Sequence, residues 1–286
     1  MRSMVVVAFG ILGVAQAAAA DLPAVLRGPI VGELVPAYRW SGVYGGAQAG
    51  FSTASMNFNQ NVGALVADML RLTTIEQDFN ISSWPVLGKP NPVGGSYGGF
   101  VGYNWQWEDA VTGFEINYNR TSLSGSASNS LSRSFVDSNP SIPTGHHYFY
   151  NPATVTGTAA ARITDWGTFR FRGGWAAGMF LPYGFVAFAV GRADISRTAS
   201  VTWTVTDLPD SGITPFPPSA LPVPPSPEAD ARNGVFAYGA AAGLGVDVAL
   251  LPNVFLRGEW EFVQFAPLQG DHIHINTVRT ALGFKF

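Results

Sequence analysis

In separate segments between Gly42 and the C-terminus, apolar side chains alternate with polar or small ones at a period of two. That is the period of a β-strand whose two faces meet different surroundings. The segment 274–286 shows it plainly. Val278, Thr280, Leu282, Phe284 and Phe286 share one face, and Thr277, Arg279, Ala281, Gly283 and Lys285 share the other. In 234–250, Phe236, Tyr238, Ala240, Ala242, Leu244, Val246 and Val248 oppose Gly239, Ala241, Gly243, Gly245 and Asp247. Phe114, Ile116 and Tyr118 oppose Glu115, Asn117 and Asn119 in 111–123. Leu256, Trp260 and Phe262 oppose Arg257, Glu259 and Glu261 in 254–266. A segment from about 155 to 178 sets Phe169, Phe171 and Trp175 against Arg170, Arg172 and Gly174. With 42–54, 96–107 and about 182–206, eight strands are predicted. The fourth and fifth are roughly twice as long as the others. Thr164 to Gly167 offers a break in the fourth, but that gives an odd count, which a closed bacterial membrane sheet disfavours.

A face that is polar or small throughout is not an ordinary core, so the apolar face is expected outside, against lipid. Open sheet edges are not tolerated in hydrocarbon, so the sheet must close. A soluble lipocalin-like barrel is the alternative, with the opposite polarity of faces. The connections favour the membrane form. They are short at 108–110, 179–181 and 251–253 and long at 55–95, 124–154 and 207–233, with a shorter one at 267–273. Outer-membrane barrels sort short periplasmic turns and long extracellular loops in this way. The predicted fold is all-β, an eight-stranded antiparallel transmembrane β-barrel with long extracellular loops.

Composition sharpens this picture. Hydrophobic residues are 47% of the 286 and charged residues only 12%, about half the usual share of a soluble domain. No run of about 20 apolar residues provides a membrane helix. There is no cysteine, hence no disulfide, thiolate metal site or thiol nucleophile. The net charge of −3 argues against nucleic acid as a partner. The first 20 residues read as a signal peptide. Arg2 is followed by an apolar stretch from Met4 to Val14, and cleavage is expected near Ala20, before Asp21. Residues 21–39, broken by Pro23, Pro29 and Pro36, read as a flexible leader, and 40–286 as the barrel. Trp40, Tyr44, Trp105, Trp107, Tyr183 and Phe286 lie near the short-turn end, where an interfacial aromatic girdle is expected.

The segment Trp40 to Gly50 (WSGVYGGAQAG) resembles the opening strand of small outer-membrane β-barrel proteins of alphaproteobacteria, the outer-membrane immunogenic or porin-family proteins. Gly98 to Trp105 resembles their second strand, and Gly167 to Trp175 with Leu181 to Tyr183 their fourth strand and its turn. Leu282, Phe284 and Phe286 match their C-terminal assembly signal. The matches span most of 40–286 outside the long loops. The resemblance implies an outer-membrane location. Its partners would be outer-membrane lipid and lipopolysaccharide, and the assembly machinery that reads the last strand. It implies no agreed activity and no cofactor.

Candidate chemistry is sparse. Arg170, Arg172, Arg192, Arg257 and Arg279 are expected inside the barrel, facing Glu115, Asp194, Asp247, Glu259 and Glu261. Eight strands leave an interior that side chains just fill, so a structural plug of paired charges is expected, with a narrow ion path as the alternative. His146, His147, His272 and His274 fall in or beside extracellular loops. Asp271 and His272, with serines from other loops, could imitate the site of a lipid-modifying enzyme, although no spacing demands it. No phosphate loop, nucleophile elbow or metalloprotease motif is present, and no metal site is expected. Residues 62–72 have near-helical spacing and predict a short helix capping the barrel mouth or lying on the outer leaflet, with a buried strand as the alternative. Residues 207–230 hold eight prolines and predict an extended or disordered surface loop, available to extracellular partners.

Overall fold

The computed structural model describes residues 38–59, 61–267 and 272–286. The signal peptide, almost all of the leader, Asp271 and the side chain of His272 lie outside the described residues. Eight strands follow in order: β1 (Gly42–Asn57), β2 (Val93–Trp107), β3 (Ala110–Asp137), β4 (Tyr148–Trp175), β5 (Phe180–Asp207), β6 (Glu228–Leu251), β7 (Val254–Phe265) and β8 (His272–Lys285). Each pairs antiparallel with the next, and β1 pairs with β8 to close the barrel.

Several strands reach further than expected, β3 most of all, and the disfavoured break in β4 is absent. β3 runs for 28 residues rather than ending near 123. Its second half, rich in Ser and Asn, alternates as a strand does: Ser124 and Ser126 face outward, while Leu123 and Gly125 are buried. β4 is continuous. A register shift between Ile163 and Asp165 marks a bulge rather than a break. The bulge flips the phase, so that Ile163 above it and Trp166 below it both point inward.

The outer surface has two zones. Over the first ten or so residues from the short turns it is apolar: Phe114, Ile116 and Tyr118 on β3, Phe171 and Phe169 on β4, and Val186 and Phe188 on β5 are exposed. Beyond these the outward positions of β3 to β5 become serine and threonine, with Ser128 paired to Thr158 (3.1 Å) and Ser132 to Thr154 (2.8 Å) across the strands.

The interior is filled in three tiers. At the short-turn end Trp40, Tyr44, Phe100, Val111, Leu181 and Phe255 form an apolar floor. Three residues expected in the outer girdle, Trp40, Tyr44 and Tyr183, lie inside, 2%, 2% and 6% exposed. The alternation decides this, because Tyr44 shares its face with the buried Gln48 and Ser52, and Tyr183 shares its face with Phe185. Trp105, Trp107 and Phe286 do point outward, at 41%, 61% and 84%. A layer of charged side chains lies above the floor. Above that, the inner face becomes an ordinary apolar core, contrary to the expectation that it is polar or small throughout. The long connection 58–92 folds into this half. Its helix α1 (Gly63–Leu70) buries Val66 and Leu70, and the shorter α2 (Thr74–Phe79) buries Ile75. They pack with Ile81, Trp84, Leu123, Val155, Ile163 and Ile195.

Candidate functional site

The middle tier holds eight ionised side chains, and burial decides its membership. Arg170, Arg172, Arg257 and Arg279 face Glu115, Asp247, Glu259 and Glu261, and none is more than 4% exposed. Arg192 and Asp194, expected here, lie on the outer face. On β5 the inward positions are odd, as Ala189, Ala193 and Ile195 show. Four positive charges therefore meet four negative ones.

The geometry is a lattice across the lumen. Arg170 reaches Glu115 (3.0 Å), Glu259 (2.9 Å) and Glu261 (2.8 Å). Arg257 donates to Asp247 (2.8 Å) and Glu115 (2.7 Å). Arg172 donates to Asp247 (2.8 Å) and to the Tyr44 hydroxyl (3.1 Å). Arg279 ties Glu259 (2.8 Å), Glu261 (2.6 Å) and Asn119 (3.0 Å) together. The Tyr183 hydroxyl donates to Glu259 at 2.5 Å and the Tyr44 hydroxyl to Glu115 at 3.0 Å. Gln48 extends the lattice to Asn117 and Asn119, both at 2.7 Å. Aromatic faces cover the guanidiniums: Arg172 lies 3.7 Å over the Tyr183 ring and Arg257 4.2 Å over Phe100. Seven strands contribute hydrogen-bonding groups, and β2 lends the Phe100 ring.

Glycines make room for the rings. A methyl group on Gly102 would sit 2.5 Å from the Tyr44 ring, and one on Gly245 2.5 Å from the Tyr183 ring. The space bounded by Trp40, Tyr44, Asn104, Asp247 and Phe255 has no room for a water molecule. Sequence reasoning missed Tyr44, Tyr183 and Gln48 as members of this layer. Their signal was present in the face each shares with a neighbour two residues away.

At the opposite end the loops are tied to one another. His146 Nδ1 lies 2.6 Å from Asp207 Oδ2, and the Phe216 N–H donates to the same oxygen at 2.8 Å. The His146 ring stacks on Phe216 with centroids 3.9 Å apart. Burial alone would raise the Asp207 pKa. The Phe216 N–H and His146 outweigh it and hold the carboxyl below its ordinary value. The proline-rich segment is extended with one short 3-10 turn at Pro218–Ala220, and Trp203 Nε1 donates to the Pro222 carbonyl at 2.9 Å. His147 lies 2.9 Å from Ser138 Oγ through Nδ1 and 3.6 Å from Asp210 through Nε2. His274 stacks on Phe262. Among the described residues no three carboxylate or imidazole groups gather as a metal would require.

A family model described as an outer membrane protein beta-barrel domain matches residues 4–286. No curated protein matches the chain. Among solved structures, Neisserial surface protein A is 14% identical, covering 86% of this chain and 98% of its own, with a TM-score of 0.36. Ail, the attachment invasion locus protein of Yersinia pestis, was solved with the heparin analogue sucrose octasulfate. It is 9% identical over 85% of this chain and 99% of its own, with a TM-score of 0.32. The N-terminal β-barrel domain of Pseudomonas aeruginosa OprF is 10% identical over 85% and 98%, with a TM-score of 0.28.

Proposed function

The chain belongs to the outer membrane protein β-barrel family, and from that premise we propose a barrel closed to solutes, structural in the envelope, whose long-loop end is displayed at the cell surface. As a member of that family it is an outer-membrane protein. In this reading the short turns face the periplasm and the long connections face outward. The signal peptide is released near Ala20, the last strand is delivered to the assembly machinery through Leu282, Phe284 and Phe286, and the outer face meets lipid and lipopolysaccharide.

One observation carries the closed state: the four-against-four lattice. Its members are buried and paired across the whole section of the barrel. Opening a path through it would separate charges that have already lost their water, at a cost of several kcal/mol for each ion left alone. The display role is supported by the length of β3. From Arg120, its first charged outward residue, to Asp137, the strand climbs about 40 Å if tilted as such barrels are. The apolar core holds that projection in one shape.

Single-channel recording of the refolded mature chain, residues 21–286, tests the closed state in planar bilayers with insertion verified separately. A silent bilayer is expected. Discrete, reproducible openings would replace this reading with that of a small diffusion channel. A catalytic role is not part of the proposal, although Ser138, His147 and Asp210 meet at one imidazole. The carboxylate at 3.6 Å is beyond hydrogen-bond range, and the group sits at the tip of the projection, far from lipid esters. A serine-reactive phosphonate probe is expected to leave Ser138 unlabelled.

A further inference from the structure

The outer face of the barrel changes from apolar to polar abruptly, and on one wall the change is marked by arginines. Arg120 on β3, Arg162 on β4 and Arg192 on β5 all point outward and are exposed. Arg120 and Arg192 share one row of the sheet, both opposite Asp165. They stand two strands, or about 10 Å, apart at the backbone. Arg162 lies opposite Asp194 on the next part of the same wall. The row directly below contains Tyr118 and Val190, with Phe169 and Phe188 beneath them.

Height places these cations. Ten residues of β3, from Ala110 to Arg120, climb about 25 Å in a strand tilted by about 40°, which is the thickness of the apolar band of an outer-membrane barrel. The arginines therefore stand where hydrocarbon gives way to headgroups. Near this height on the other wall the outward residues are Thr53, Gly95, Gln264 and Asn276, none of them charged.

The local carboxylates leave positive charge over. Asp165 accepts from Arg192 (2.7 Å) and from Thr164 (3.0 Å), and Asp194 accepts from the Gly234 N–H (2.8 Å). Neither carboxylate engages Arg120 or Arg162, whose side chains make no ion pair or hydrogen bond among the described residues. Three guanidiniums against two carboxylates give a one-sided cationic patch with two uncommitted forks. A guanidinium fork matches a phosphate in geometry as well as charge.

We propose that Arg120, Arg162 and Arg192 form a docking site for the phosphorylated headgroup of an outer-leaflet glycolipid, fixing the β3–β5 wall against the membrane surface. The site rests on the membrane orientation given above but not on the closed lumen, so bilayer conductance leaves it standing either way.

Native mass spectrometry of the refolded barrel, exchanged from detergent with defined lipids, tests it. Three probes are compared: a diphosphorylated lipid A, the same glycolipid with its phosphates removed, and inorganic phosphate. The protein is expected to retain the phosphorylated glycolipid and release the dephosphorylated one. Inorganic phosphate at equal concentration is not expected to displace it. The triple variant Arg120→Gln, Arg162→Gln, Arg192→Gln is expected to retain it about tenfold more weakly, a loss that two or three charge-assisted phosphate contacts account for. Equal retention of the dephosphorylated lipid by the unaltered protein would overturn the proposal without any variant. So would equal retention of the phosphorylated lipid by the triple variant, or its displacement by inorganic phosphate.

Discussion

Arg257 is the keystone of the ionic tier. It is fully buried, bonded to Asp247 and Glu115 and laid over Phe100. Arg257→Met keeps the volume and removes the charge, leaving two carboxylates short of a partner. A loss of about 3–5 kcal/mol is expected, read as a lower urea midpoint for the barrel in lipid. An unchanged midpoint would show that the lattice is not what braces the section. Gly245 is the companion case, since any side chain there collides with the Tyr183 ring. Gly245→Ala should cost about 1–3 kcal/mol by overpacking, and adding Tyr183→Leu should restore part of it if the ring is the cause. Asp207 supplies the pH dependence. Its folded pKa is lowered, so its contribution is present above the unfolded value of about 3.9 and is lost as pH falls through the lowered folded value. Hydrogen exchange in 208–227, corrected for intrinsic rate, should therefore rise only in acid for the unaltered chain. In Asp207→Asn it should be raised at neutral pH as well. Equal protection in the two proteins at pH 7 would remove Asp207 from the account.

The eight elements and their antiparallel ring were legible because each membrane-facing strand sets large apolar groups against charged or small ones. Where that contrast fades, so does legibility. In β5 both faces are apolar from Phe185 to Val190, with Phe185, Ala187 and Ala189 on one and Val186, Phe188 and Val190 on the other, so the phase that sends Arg192 and Asp194 outward was not visible from periodicity. The upper half of β3 reads as a loop because serine is a turn residue by habit. Its one clue was serine at every even position from 122 to 134. The helix in 62–72 was legible from spacing, but its place inside an apolar core was not, because the core it joins draws on residues far apart in the chain, among them Ile81, Leu123, Val155 and Ile195. That core makes a prediction at its own scale. Leu70→Ala removes a fully buried side chain from α1 and should cost the upper half about 2–5 kcal/mol. Proteolysis within 58–92 should rise while backbone hydrogen exchange in the lower strands stays unchanged. Joint collapse of both halves would show that they fold as one unit.

Across the whole molecule, the closed lumen we propose rests on three layers of different kind, the floor, the ionic tier and the loop-filled core. A variant that breaks the ionic tier alone should therefore remain silent in a bilayer, because Trp40 and Phe255 still seal one end and α1 covers the other. Discrete openings from Arg257→Met would show that the charges are the only gate. The apolar core also sets the molecule between two solvents. Its lower staves are held by lipid and its crown by exclusion of water. Hydrophobic burial from water weakens on cooling and in urea, whereas staves in hydrocarbon keep every backbone bond for want of any other partner. Cold or mild denaturant would therefore loosen the crown first, remodelling the long-loop end while leaving the barrel seated.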